Sequence, residues 1–384
     1  MSTLAFLLCS VVMAEQAFYA PRRIFQADYP QFSAANAFAP TEEKVDPSLK
    51  HSWALVNIGF FESFTTLVKP ALSATKPCSP AVVVAIIDTG LDYTHPELAH
   101  SLWINTEESG PWKSKDTECK NKYCNRIDDD NNGFKDDLLG WDFVHDMPLP
   151  FDTHGHGTHV AGIIGAAAAN GIGGTGVCPN VSIMPLKYYD NSGAGYNNLN
   201  NTVRAIQYAV KMGAHIINYS GGGSDPAPAE RKAIIEAQKA GVLFIAAAGN
   251  EGRNNEMVPY YPASYGLDNI ISVASVGKKN ELLGSSNYGK SVNVAAPGFL
   301  IVSTLPEGRF GTMSGTSQAT AFVTGVAALL ASQFDDDPRK HYKEVRQAIL
   351  QGSKPLKNNE LHSLVSHGVL NVPKALEHLK SHSK

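Results

Sequence analysis

Long apolar runs are nearly absent from this 384-residue chain, and so is any concentration of charge of one sign. Beyond the first fourteen residues no stretch approaches the roughly 20 consecutive apolar residues that a membrane-crossing helix needs, so no membrane span is expected. Lys and Arg total 32 against 36 Asp and Glu, giving a formal net charge of −4, and the basic residues form no stripe or cluster. That balance excludes the electrostatic footprint of a nucleic-acid binder. Cysteine is scarce, at 5 residues, with no C-x-x-C pair and no H-E-x-x-H helix, which weakens a zinc reading. No repeat, low-complexity tract or long linker divides the chain between residues 80 and 375.

The chain does carry a short apolar leader. Leu4 to Ala14 is too short to span a bilayer and ends in Val12-Met13-Ala14 before Glu15. This small-residue spacing predicts a secretory signal peptide over residues 1–14, although no Lys or Arg precedes the run. Removal of that segment leaves Cys78, Cys119, Cys124 and Cys178. An even count in an exported chain favours disulfides, with three pairings open. Cys119 and Cys124 share a polar loop that they could close locally.

Residues 15–48 are polar, contain proline and lack periodicity, as expected of a short pro-segment or flexible arm. From residue 49 to 384 two patterns alternate. Short apolar or β-branched runs (Ala81 to Ile87, Ser182 to Pro185, His215 to Asn218, Val242 to Ala248, Ile270 to Val276) predict strands. Helical runs lie between and after them: Val160 to Ala169, Asn201 to Met212, Ala229 to Ala240 and Ala319 to Gln333, with two more amphipathic helices between Lys340 and Leu379. Continuously apolar strands joined by helices predict one α/β domain, doubly wound, with a mostly parallel central sheet and helices on both faces.

Three segments place reactive side chains at strand ends or helix starts, where such sheets build their sites. Asp88 follows the apolar run Val82 to Ile87. His156 stands in His154-Gly155-His156-Gly157-Thr158-His159 before a small-residue helix. Ser317 opens an apolar helix in Ser314-Gly315-Thr316-Ser317-Gln318-Ala319. Singly, each has an ordinary explanation, since an Asp after a strand is commonly a turn residue and a Ser before a helix commonly a cap. Ser317 also misses the G-x-S-x-G elbow, because Ala319 replaces the second glycine.

Taken together, the order Asp, His, Ser and the words around each residue resemble the subtilisin-like serine peptidases. The resemblance rests on Ile86-Ile87-Asp88-Thr89-Gly90, His156-Gly157-Thr158-His159-Val160-Ala161-Gly162, Gly315-Thr316-Ser317 and Ala246-Ala247-Ala248-Gly249-Asn250, and covers about residues 45 to 375. The order itself is that of subtilisin. The resemblance implies a peptidase domain over residues 49–384 that cuts peptide bonds through an acyl-enzyme, with Ser317 as nucleophile, His156 as general base and acid, and Asp88 orienting the imidazole. It further implies an oxyanion hole from the Asn250 amide and the Ser317 N–H. A groove lined by Ser220, Gly221, Gly222, Ala247, Ala248 and Gly249 would take an extended polypeptide, with room for a sizeable apolar side chain and Tyr260 near its floor. No acidic cluster is evident there. The resemblance also places the start of the strand near Cys78 close to the Gly176-Val177-Cys178-Pro179 turn, so Cys78–Cys178 and Cys119–Cys124 are the expected bridges. A monomer is expected.

The chain departs from the family pattern after Ser317. Gln318 and Ala321-Phe322 stand where relatives usually have Met and Pro-His, which leaves the triad untouched but bears on efficiency. The arm between Ala14 and Val45 is also short for the folded pro-domain many relatives use. A catalytically weak, peptide-binding relative is the alternative these departures allow.

A second signal is the loop Asp128 to Asp137. Asp128, Asp130 and Asn132 alternate, Gly133 follows and Asp136 comes three later, matching the first nine places of an EF-hand-like calcium loop with the Phe134 carbonyl as a ligand. Leu139 replaces the final Glu, so the match is incomplete. Clustered carboxylates repel unless a cation neutralises them, and structural calcium is the expected cofactor. By itself the loop would also suit a calcium-loop adhesion module, which leaves Asp88, His156 and Asn250 unexplained. A second calcium site, from Glu97, Asn170 and carbonyls around Ile172 and Gly174, is implied by the family resemblance.

Overall fold

The structure is a computed structural model that describes residues 46–61, 76–112, 121–190, 198–355 and 365–382. The chain divides into two units, Met1–Lys44 and Val45–Lys384, and the described residues all belong to the second. Asp46 and Ser48, assigned from sequence to the arm, are integral to that unit. Asp46 is fully buried, and the Ser48 N–H donates to the Gly173 carbonyl oxygen at 2.8 Å.

The centre is a sheet of eight strands: β1 (Val83–Asp88), β2 (Trp141–Asp142), β3 (Met147–Pro148), β4 (Ser182–Lys187), β5 (Ile216–Tyr219), β6 (Leu243–Ala247), β7 (Ile270–Val276) and β8 (Val294–Pro297). Their order is β3-β2-β4-β1-β5-β6-β7-β8, and every pairing is parallel except that of β2 with β3. Strands β9 (Ile301–Leu305) and β10 (Arg309–Met313) form a separate antiparallel hairpin.

The helices are α1 (Trp53–Asn57), α2 (His156–Gly165), α3 (Asn198–Lys211), α4 (Pro228–Lys239), α5 (Thr316–Ala331), α6 (Tyr342–Gln351) and α7 (Val372–His382). Helices α3 and α4 pack on each other, α3 over β1 and β4 and α4 over β6. Helices α2 and α5 pack together, with α5 lying along β5 to β8. Burial on both faces explains why the strands read as unbroken apolar runs. Ala85 and Ile87 of β1 join the core beneath α3 and α4, and the twofold alternation of a strand turns Val84 and Ile86 to the opposite layer. Helix α5 has no polar face because every residue from Thr316 to Ala331 is buried.

The expected strands and helices are all present, with ends displaced by a few residues. The sequence reading did not anticipate β8, a four-residue strand ending in proline, the two-residue pair β2–β3, or the β9–β10 hairpin. The topology fixes where a site can form. From β1 the chain passes to β2 and the edge strand β3, returns to insert β4 beside β1, then crosses to place β5 on the other flank of β1, so direction reverses at β1 and a crevice opens beyond its carboxyl end.

Candidate active site

Asp88 is the last residue of β1, and His156 is the first of α2. His156 Nδ1 and Asp88 Oδ1 are 2.7 Å apart. Asp88 is 3% exposed and also accepts the Thr89 N–H at 2.8 Å, so its carboxylate is fixed in orientation. The His156 side chain keeps 24% exposure, leaving its outer edge reachable. Close approach of α2 to β1 depends on Gly157, where a Cβ would run into the Gly90 carbonyl oxygen and the Asp88 side chain. Burial pushes the His156 imidazole down. The attraction of Asp88, the hydrogen bond to it and the charge of Asp152 together outweigh burial and hold the imidazole above its ordinary value.

Ser317 lies in the first turn of α5, where backbone N–H groups have no partner within the helix. Its hydroxyl donates to the Ser220 carbonyl oxygen at 3.3 Å, and among the described residues no hydrogen bond joins it to His156. Asn250 follows β6. Its Oδ1 accepts the Thr316 N–H at 2.9 Å and the Thr316 hydroxyl at 3.1 Å. An N–H must point at oxygen, so this pair fixes the amide flip and leaves Nδ2 as the free end beside the start of α5. Asn250, Thr316 and Ser317 thus form one constellation tied to Ser220. Asp88 and His156 form another, one strand away at β1.

The groove residues lie at the carboxyl ends of neighbouring strands, Ser220–Gly222 after β5 and Ala247–Gly249 at the end of β6, with Tyr219 opposite Ala246. Gly223 pairs with Tyr261, and a Cβ at Gly222 would run into the Tyr260 ring. Tyr260 is therefore packed against the groove glycines. The sequence reading missed Glu251, whose carboxylate sits close over Gly249 and accepts from Asn287 Nδ2 at 2.8 Å. Burial first, then the charges of Glu251 and Glu230, raise the Tyr260 hydroxyl to about 12.

The acidic loop gathers a different set of oxygens from the one its spacing suggests. Ligand atoms of Glu108, Asp128 and Asp130 all lie within 4.8 Å of one another. Glu108, 20 residues upstream of the loop, is fully buried and its Oε2 has no hydrogen-bond partner. Burial raises it to about 7; the Asp129 N–H opposes the shift, while the charges of Asp137, Asp129 and Asp130 add to it. Asn132 is tied inside the loop, donating to Asp130 and Asp137 and accepting the Phe134 N–H. The Phe134 ring packs on Trp141, Phe143 and Tyr208, and Asp136 accepts the Arg126 N–H at 3.0 Å. A buried carboxylate oxygen with no partner beside two further carboxylates fits a hard cation.

A second buried acid, Glu97, accepts from Asn170 Nδ2 at 2.6 Å through Oε1, while its Oε2 is unpartnered. Burial raises Glu97 to about 7, against the Asn170 bond and with the charge of Asp46. Asp46, another residue the sequence reading passed over, accepts the N–H groups of Ala169, Asn170 and Gly171.

Cys78 and Cys178 are joined in a disulfide with Cα atoms 5.4 Å apart. Cys119, the expected partner of Cys124, lies outside the described residues. No described helix is long and apolar enough to cross a membrane.

Known proteins resemble this chain over most of the Val45–Lys384 unit. The chain is 38% identical over 268 residues to the thermophilic serine proteinase of Bacillus sp. strain AK1, covering 70% of this chain and 55% of that one. It is 36% identical over 250 residues to thermitase of Thermoactinomyces vulgaris, covering 65% and 75%. It is 33% identical to the major intracellular serine protease of Bacillus subtilis strain 168, covering 74% and 78%. Among solved structures, a cold-adapted subtilisin-like serine proteinase superposes with a TM-score of 0.58 at 25% identity, over 77% of this chain and 91% of that one. The prenylagaramide maturation protease PagA gives a TM-score of 0.57 at 26% identity, over 84% and 98%. The model of the subtilase family matches residues 79–368, and with these relatives it shows that the chain belongs to the subtilase family of serine peptidases.

Proposed function

We propose that this chain is an exported serine endopeptidase that hydrolyses extended polypeptides through an acyl-enzyme. The observation that carries the reading is the 2.7 Å contact of His156 Nδ1 with a buried Asp88 at the end of β1, beside β5, after which the Ser220 carbonyl accepts the Ser317 hydroxyl. A serine hydroxyl is a weak nucleophile until a base takes its proton. With Nδ1 engaged by Asp88, Nε2 is the free nitrogen, and Asp88 stabilises the imidazolium formed when Ser317 attacks the scissile carbonyl. The resting hydroxyl bond to Ser220 has to be exchanged for one to His156 as substrate enters, and catalytic hydrogen bonds commonly tighten only at that stage. Negative charge then develops on the carbonyl oxygen, where Asn250 Nδ2 and the Ser317 N–H are the donors. His156 next returns the proton to the leaving amine, and water resolves the acyl-enzyme by the same route. Ser220–Gly222 and Ala247–Gly249 offer backbone to an extended peptide on either side.

Export is supported by the apolar leader and by the Cys78–Cys178 bridge, since structural disulfides persist in oxidising compartments. Residues 1–14 are read as the signal peptide, and the arm is read as ending by Lys44, since Asp46 and Ser48 belong to the folded unit. Calcium is proposed as a structural ion held by Glu108, Asp128 and Asp130, with Asn132, the Phe134 carbonyl and Asp136 completing or supporting the loop. A second ion would sit at Glu97 and Asn170. Bound there, the cation supplies charge neutralisation and takes no part in the chemistry. Labelling with a serine-directed fluorophosphonate tests the enzymatic reading: wild-type protein should be labelled at Ser317 and Ser317→Ala should not. A peptide-library digest then reads the cleavage preference.

A further inference from the structure

Four residues before His156, Asp152 is buried at 0% exposure, and among the described residues no side chain forms an ion pair with it, yet both its oxygens are saturated. Oδ1 accepts the Thr89 hydroxyl at 2.9 Å and the N–H groups of His154 and Gly155 at 2.9 and 2.8 Å. Oδ2 accepts the Thr158 N–H at 2.9 Å and the Thr158 hydroxyl at 2.6 Å. Gly155, at the N-cap of α2, has no side chain with which to cap the helix, so Asp152 accepts the Thr158 N–H of the first turn in its place, together with the N–H groups of His154 and Gly155 that lead into it. Thr89 extends the network to the other half of the pair. Its oxygen accepts the Gly157 N–H at 2.9 Å while its own N–H holds Asp88 Oδ1. The Thr158 hydroxyl in turn accepts the Asp92 N–H at 3.0 Å.

We infer that Asp152 is a positioning residue of the catalytic pair, locking the start of α2 to the end of β1 through Thr89 so that the relation of His156 to Asp88 is set before substrate arrives. The inference rests on the peptidase reading above. A buried anion held by five donors cannot shift without leaving several of them unpaired, which makes the junction stiff. It also places a second negative charge near the imidazole, adding to that of Asp88. The other titratable groups around His156 are Asp88 itself on β1, His154 on the preceding turn, with ring centroids 6.3 Å apart, and His159 one turn along α2. Burial lowers His159 to about 4, against its bonds to the Ile301 and Gly311 carbonyls, so it stays neutral wherever His156 titrates.

The test combines two variants and two readouts. In Asp152→Asn the charge is lost while the shape is nearly kept. By nuclear magnetic resonance in the Ser317→Ala background, the His156 imidazole should titrate at lower pH than in the parent. In the active protein the acid limb of kcat/KM should move to lower pH, and kcat should fall between about tenfold and a hundredfold with KM kept. Thr89→Val cuts the link and leaves the charge, so kcat should fall while the His156 titration stays in place. A merely structural cap would lower the melting temperature of Asp152→Asn and leave both kcat and the titration at parental values, which overturns the inference. If Asp152→Asn does not fold, Thr89→Val decides alone, and parental kcat there overturns the inference as well. Failure of fluorophosphonate to label wild-type protein sinks the peptidase reading and this inference with it. Normal labelling with parental behaviour in both variants sinks only the role of Asp152.

Discussion

Breaking the Cys78–Cys178 bridge should cost the folded unit several kcal/mol. The two cysteines are 100 residues apart in sequence. Closing a loop of that length removes about 4.7 kcal/mol of chain entropy from the unfolded state on the loop-entropy account. The folded geometry gives that constraint something to hold. Cys178 follows Val177, and their N–H groups donate to the Ile163 and Ile164 carbonyls at the end of α2, while Ser79, beside Cys78, donates its N–H to Ser332 just past α5. The bridge therefore ties the approach to β1 to the far ends of both central helices. Cys178 is fully buried and Cys78 nearly so, so replacing both by Ala also leaves two sulfur-sized voids, adding of order 1 kcal/mol. With an unfolding entropy of about 2.1 cal/mol/K per residue, the roughly 340 residues of Val45–Lys384 lose about 0.7 kcal/mol per degree, so a 4.7–5.7 kcal/mol loss is a drop of about 7–8 °C. The assay is calorimetry of Cys78→Ala/Cys178→Ala in the Ser317→Ala background, where self-cleavage cannot interfere. A double variant melting within about a degree of its parent would refute the reasoning.

Three further outcomes are expected. Ser317→Ala should abolish peptide hydrolysis with the melting temperature kept, whereas Asn250→Ala should leave slow turnover, lower by about 10²–10³-fold, the loss seen when the corresponding donor is removed in subtilisin; parental rates in either variant contradict the proposed roles. Because His156 must be neutral to act as a base and its pKa is raised, the acid limb of kcat/KM should fall above the ordinary histidine value, with activity lost as pH drops through it; a limb below that value contradicts the assignment. Chelation of calcium in Ser317→Ala protein should lower stability by about 2.7 kcal/mol relative to a hundredfold excess of ion over its dissociation constant. Asp128→Ala/Asp130→Ala and Glu108→Gln should each remove most of that difference, and an unmoved melting curve would reduce the loop to an acidic surface.

What could be read from the sequence was whatever is continuous along the chain. Asp88, His156, Asn250 and Ser317 each sit inside a local word, because a strand end or helix start needs particular small neighbours to expose one side chain. Gly157 beside Asp88 is such a case. Glu108, Asp46 and Glu251 carry no such word. Each is a single acid whose partners are brought to it by chain folding, and nothing nearby distinguishes it from a solvated surface residue. Asp152 does sit beside the His156 word and binds its own neighbours, but its link to Thr89 comes only with folding. The calcium loop shows both sides: alternation revealed Asp128 and Asp130, but spacing alone could not show that Asp136 turns to Arg126 while Glu108 arrives from another loop. Strand β8 was missed for a related reason, since Val294-Ala-Ala-Pro297 is too short and too poor in β-branched residues to stand out before its neighbour β7 is in place.

Helix α5 sets how the molecule can fail. Amide hydrogens in its interior can meet solvent only when the layers around β5 to β8 separate, so they should be among the slowest to exchange, at rates governed by opening of the whole core. Ser317 rides on the N-terminal tip of that slowest unit. Loss of the nucleophile's setting should then coincide with loss of the fold, so the protein should stay armed until its core opens.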